Sequence, residues 1–118
     1  VRRMVSEILY NLCDNALKYN KEKGSVTMTV TKEEAFAVIT VADTGIGIPA
    51  EHQGRVFERF FRVDKARSRK SGGSGLGLAI VRNLVERNQG AIRVESQVGE
   101  GTVFTVTFPA FDVEEESL

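Results

Sequence analysis

The chain has 118 residues, with 16 Lys and Arg against 16 Asp and Glu, one His, one Cys, no Trp and 42% hydrophobic residues. That length and apolar content suit one folded domain and argue against intrinsic disorder. Zero net charge argues against duplex nucleic acid as the main partner, and one Cys excludes an internal disulfide or a Cys-based zinc site.

No apolar run approaches the roughly 20 residues of a bilayer span. The expectation is a single cytoplasmic domain over residues 1–118, making no membrane contact itself, with an acidic tail over about 110–118 that ends in Glu114-Glu115-Glu116 and Ser117-Leu118. Val1-Arg2-Arg3-Met4 enters a helical pattern with no capping residue ahead of it, which predicts a piece cut from a longer polypeptide.

Val1, Met4, Val5, Ile8, Leu9, Leu12, Ala16 and Leu17 recur at helical spacing and predict an amphipathic helix through about Asn20. Gly24 ends the turn that follows. Val26, Met28 and Val30 alternate with threonines, as in a strand with one buried face. Lys32-Glu33-Glu34 makes a turn, and Phe36 to Ala42, with Phe36, Val38, Ile39 and Val41, reads as a more deeply buried hairpin partner.

Asp43 to Pro49 breaks the periodicity, and Glu51 to Phe61 fits a short helix through Val56, Phe57, Phe60 and Phe61. Arg62 to Ser74 is basic and lacks a core pattern, so a loop of this length reads as a functional lid. A helix from Gly75 to about Arg87 turns Leu76, Ala79, Ile80, Leu84 and Val85 inward and is capped by Gly90. Ile92 and Val94, the Gly99-Glu100-Gly101 turn, then Phe104, Val106 and Phe108 form a closing hairpin. The expected fold is α+β, a two-layer α/β sandwich with a mixed or antiparallel sheet packed on helices.

Three constellations carry chemistry. Asn11, Asn15 and Lys18 fall on one stripe beside the apolar face of the first helix. Amide oxygens suit Mg²⁺ and an ammonium suits phosphate, although a hydrated polar border would look the same. Asp43-Thr44-Gly45-Ile46-Gly47 follows a buried strand. There an Asp can accept from an exocyclic amine while glycines admit close approach; an ordinary Asp-capped turn is the plain alternative. Gly72-Gly73-Ser74-Gly75-Leu76-Gly77 leads into a helix whose free N–H groups suit phosphate. No GxxxxGK[ST] P-loop is present.

In this order the motifs resemble the catalytic ATP-binding domain of bacterial two-component sensor histidine kinases, in the wider gyrase/chaperone/kinase ATPase superfamily. Asn11 to Tyr19 is similar to its N box, Asp43 to Pro49 to its first glycine box, and Phe57 to Asp64 to its F box. Gly73 to Val81 resembles the second glycine box and Gly99 to Thr102 the third.

The resemblance implies the Bergerat ATP-binding fold with a flexible ATP lid, and the cofactors ATP and Mg²⁺. It implies that Asn15 holds the metal, with Asn11 supporting the phosphate end and Lys18 contacting phosphates. Tyr19 would lie near the base, Asp43 would accept from the adenine amine, and Gly45 and Gly47 would give the backbone room. Arg62 would approach the γ-phosphate, and Gly75, Leu76 and Gly77 would face the triphosphate. Ile48 and Leu78 would help line the adenine pocket, and Thr102 from the third glycine box would belong to the cofactor-binding set. Asn11, Asn15, Lys18 and Arg62 would form the catalytic set. Phe57 and Phe60 would anchor the lid, or simply pack in the core.

The implied activity is donation of the γ-phosphoryl of Mg-ATP to a His on a separate dimerisation domain of the same protein. A homodimeric parent, compatible with anchorage in the plasma membrane, would pass the phosphoryl on to a response regulator receiver domain. The only His here, His52, lacks the neighbours of a phosphoacceptor and reads as a solvated surface residue. Four rivals stand beside it: a hydrolytic ATPase, a Ser/Thr kinase of the same superfamily, a dimeric aspartic protease using Asp43-Thr44-Gly45, and a degenerate domain that only binds nucleotide or partners. The intact Asn15, Asp43 and glycine boxes argue against the last. Asn11 stands where the superfamily's ATPases carry a water-activating Glu, which favours transfer over hydrolysis.

Overall fold

The computed structural model describes residues 2–21, 23–33, 35–58 and 77–109. Helix α1 spans Arg2–Lys18, strand β1 Val26–Glu33, β2 Phe36–Asp43, the short helix α2 Ala50–Gln53, α3 Gly77–Arg87, β3 Ala91–Gln97 and β4 Gly101–Pro109. Arg62, Gly75, Leu76, Phe60, the basic stretch of the expected lid and the acidic tail lie outside the described residues.

The four strands form one sheet in the order β1-β2-β4-β3. Every described pairing is antiparallel, which decides between the two sheets expected, mixed or antiparallel. Hairpins link β1 to β2 and β3 to β4, and the long segment carrying α3 returns β4 to the side of β2.

Period-two alternation turns Ala37, Ile39 and Val41 of β2 and Phe104, Val106 and Phe108 of β4 to the helices. Across from them Ile8, Leu12 and Ala16 of α1 and Val81 and Val85 of α3 close the core. Phe57 is half-buried and meets Phe104 edge-on, with ring centroids 6.0 Å apart at 73°. It therefore belongs to the core.

Several expectations fail for tertiary reasons. α1 ends at Lys18, where an end at about Asn20 was expected. Of the expected Glu51–Phe61 helix, the described residues are helical only at Ala50–Gln53, and 59–61 lie outside the described residues. Leu17 is 68% exposed because the α1 stripe runs through Ile8, Leu12 and Ala16, each four residues apart. Met28 and Val30 share the face of Val41 and Ile39 in register, yet are 51% and 55% exposed. They sit on the edge strand, which α1 covers only in part: Cys13 Sγ reaches Met28 Sδ at 3.7 Å, yet Met28 and Val30 both keep about half their surface exposed. Phe36, at the far end of β2, is 50% exposed, and in α3 Val81 takes the inward place expected of Ile80.

Gly24 ends its turn as expected, its N–H bonding to the Lys21 carbonyl at 2.9 Å, with Lys23 left-handed just before it. At the end of α3 the left-handed residue is Gln89, not the expected cap Gly90. After α3 the Gly90 N–H bonds to the Val85 carbonyl at 2.9 Å and the Gln89 N–H to Glu86 at 3.3 Å, a Schellman ending with Gln89 in the strained seat. Gly90 is required by space instead, since a β-carbon there would stand 2.7 Å from the Phe108 ring.

Candidate functional site

The polar row at the end of the sheet follows from its register. Val41, Phe104 and Val94 lie opposite one another across β2, β4 and β3. Two residues further along, the same face carries Asp43, Thr102 and Ser96. The apolar core thus gives way, in one step of the pleat, to a carboxylate and two hydroxyls.

Asp43 Oδ1 accepts the Gly45 N–H at 2.8 Å, and its carboxyl also receives the Thr102 N–H. Burial still pushes the Asp43 carboxyl above its ordinary pKa, against the lowering effect of the two N–H groups. Asp43, Ser96, Gln97, Gly101 and Thr102 line an open cleft of about 330 Å³.

The loop after β2 is held from both sides. The Ile46 N–H bonds to the Tyr19 carbonyl at 3.1 Å, and the Gly99 N–H bonds to the Ile46 carbonyl at 2.9 Å. Gly47 has φ +78°, and a β-carbon there would collide with the Gln97 carbonyl, so glycine is required twice over. The Cα of Gly45 is closed off by the Tyr19 carbonyl in the same way. The close approach at both glycines is to the protein's own backbone. Ile48 and Leu78 are half-buried and pack against the core.

At the other end, Asn11 Nδ2 donates to the Glu7 carbonyl at 2.9 Å, and its Oδ1 faces Gly77 at the start of α3. One turn on, Asn15 is half-buried, and its carboxamide makes no hydrogen bond among the described residues. Lys18 forms an ion pair with Asp14 at 2.9 Å. From Asn11 to Lys18, α1 runs about 10 Å between the start of α3 and the Tyr19 carbonyl that holds the loop after β2.

The sequence reading missed the lacing residues. Lys21 Nζ donates to the Gly99 carbonyl at 2.6 Å, and Gln53 Nε2 donates to the Ile48 and Ser96 carbonyls at 2.9 and 3.1 Å. Ser96 accepts the Ile48 N–H at 2.7 Å. Counting back from the Gln97–Gly101 pair that closes the hairpin places Ser96 opposite Thr102, and that signal was available in the sequence.

Residues 1–112 match the family described as Histidine kinase-, DNA gyrase B-, and HSP90-like ATPase, and the chain belongs to it. The sensor histidine kinase RppB of Synechocystis is 47% identical over 106 residues, covering 90% of this chain and 23% of RppB. Among solved structures, the mycobacterial sensor histidine kinase MprB aligns with TM-score 0.78 and 35% identity over 91% of this chain and 72% of that one. Full-length ShkA in complex with AMPPNP aligns with TM-score 0.76 and 34% identity over 90% of this chain and 21% of that one. The chain spans about a quarter of RppB's length. The Asp-Thr-Gly triplet belongs to this α+β fold and not to a protease. No helix among the described residues is long and apolar enough to cross a membrane.

Proposed function

We propose that the chain binds Mg-ATP and presents its γ-phosphoryl to a His on a separate dimerisation domain of a sensor histidine kinase, which would then serve a response regulator receiver domain. The observation that carries the reading is the pairing of ends along α1. An acceptor carboxylate, Asp43, lies by the loop tied to Tyr19, while the amide oxygen of Asn11 meets the start of α3. A ligand with an amine at one end and anionic oxygens at the other matches this polarity. The AMPPNP complex of ShkA supports the same ligand class.

Asn15 offers a hard amide oxygen that has no hydrogen-bond partner among the described residues, which suits Mg²⁺. Bound there, the ion would neutralise phosphate charge. Lys18 would swing from Asp14 to the phosphates, and Tyr19, Ile48, Leu78 and Thr102 would surround the base. Gly45 and Gly47 would set the loop beside it. Arg62, Gly75, Leu76 and Gly77 complete the proposed triphosphate set. Phosphoryl transfer needs mainly position and charge neutralisation, which these groups supply.

Transfer is favoured over hydrolysis by Asn11. Its amide has no useful basicity, and its nitrogen is already committed to the Glu7 carbonyl. Calorimetric titration of the chain with ATP, with and without Mg²⁺, tests the reading. Saturable, Mg²⁺-dependent binding supports it, and no binding in either condition overturns it.

A further inference from the structure

Ser96 is a hub whose proton traffic is fixed by its partners. The Ile48 N–H can only donate, and it reaches Ser96 Oγ at 2.7 Å. The Gly101 carbonyl can only accept, and Ser96 Oγ lies 2.8 Å from it. A hydroxyl has one proton and two lone pairs. Ser96 therefore spends its proton on Gly101, and one lone pair takes the Ile48 N–H.

Its remaining contact is Thr102 Oγ1 at 2.8 Å, where either oxygen is geometrically able to donate. With the Ser96 proton already committed, Thr102 has to supply the hydrogen. Thr102 is 6% exposed, so its hydroxyl has few alternatives.

We propose that Ser96 sets the specificity of the Asp43 cleft: by holding the Thr102 hydroxyl proton, it leaves Thr102 as an acceptor only. Asp43 and Thr102 lie opposite each other in the β2–β4 register, so both residues line the same cleft, whose lining also includes the acceptor-only carboxylates Glu95 and Glu100. Such a wall welcomes an amine edge and rejects a carbonyl edge. Ser96 touches no ligand in this arrangement; it is a positioning residue acting through Thr102. The inference deepens the proposed function and rests on it for the identity of the ligand.

The test is the ratio of ATP to ITP affinity, since ITP presents a carbonyl in place of the exocyclic amine and an N1–H in place of the N1 lone pair. The N1 change is common to parent and variants. The parent chain should reject ITP. Ser96→Ala frees the Thr102 hydroxyl to turn and donate to that carbonyl, so the ratio should fall roughly three- to tenfold, the worth of one hydrogen bond. A general weakening from the orphaned Ile48 N–H affects both nucleotides and cancels in the ratio. Ser96→Thr keeps a hydroxyl and should keep the ratio. The double variant S96A/T102V has no proton to release, so discrimination should return.

An unchanged ratio in Ser96→Ala, or one equally relaxed in the double variant, overturns the proposal. Failure of the parent to bind ATP at all would instead count against the nucleotide reading. The proton assignment is tested without any variant or ligand by proton NMR of the chain. Overhauser contacts from the Thr102 hydroxyl proton to the Ser96 Cβ protons support it, and contacts to the Asp43 Cβ protons overturn it.

Discussion

The carboxamide oxygen of Asn11 on α1 lies against Gly77 at the start of α3, 3.2 Å from where a β-carbon on Gly77 would stand. That spacing is tight enough for a methyl group to push the amide aside. The helix gains up to about 1 kcal/mol from Gly→Ala where nothing opposes it. Gly77→Ala should therefore stabilise the Asn11→Ala background more than the parent. A double-mutant cycle by urea denaturation should give a coupling of about 0.5 kcal/mol or more; strict additivity would show that the two residues do not press on each other.

Asn15→Ala removes the amide oxygen assigned to Mg²⁺ but breaks no hydrogen bond within the described residues. Stability should stay within about 0.5 kcal/mol of the parent, as for surface-type changes. The Mg²⁺-dependent part of ATP affinity should vanish. Unchanged Mg²⁺ dependence in the titration would remove Asn15 from the metal role.

Asp43 should show opposite pH signatures in stability and binding. Its carboxyl pKa is raised in the fold by burial. The folded state thus favours the neutral acid, and the stabilising contribution is complete below the ordinary carboxylate pKa. It is lost as pH rises through the raised value, so ionised Asp43 costs stability at neutral pH. The melting temperature of Asp43→Asn relative to the parent should climb with pH across this window and then level off. A gap that does not vary with pH would contradict this. Binding runs the other way. The parent should lose ATP affinity as pH falls through the raised value, and Asp43→Asn should weaken ATP by roughly 1–3 kcal/mol at neutral pH.

Gln89 occupies a left-handed seat at φ 59°. Gln89→Gly should stabilise the chain by about 0.5–1 kcal/mol, because the backbone strain of a side-chain-bearing residue there exceeds the entropy cost of glycine. Gly90→Ala should destabilise it, as a β-carbon would press on the Phe108 ring. Denaturation midpoints that move in the opposite order would refute the assignment of the turn.

These turns mark the limit of what the sequence disclosed. Gly24 and Gly90 announce where the chain reverses, but close packing beside each glycine, not its own φ, is what demands it, so the left-handed position falls one residue earlier. The alternation of Phe104, Val106 and Phe108 is legible because β4 is central and one face is fully covered. The same alternation at Met28 and Val30 misleads, because the cover of an edge strand is decided by distant helices. Asp43 stood out through its glycines. Ser96 did not, because its importance arises only when β3 is laid beside β4 and the Ile48 N–H arrives from a third segment.

The proposed function requires that the chain position ATP for transfer to histidine, and that Asn11, an amide without useful basicity, activate no water. Labelled ATP, the chain, and a dimerisation domain bearing a His test it in one assay, with an acid-stability check on the product. The chain alone should neither label itself nor hydrolyse ATP appreciably, and adding the second domain should yield acid-labile phosphohistidine on that domain. Brisk hydrolysis by the chain alone, or acid-stable label, would contradict the account and favour the ATPase or Ser/Thr kinase branch.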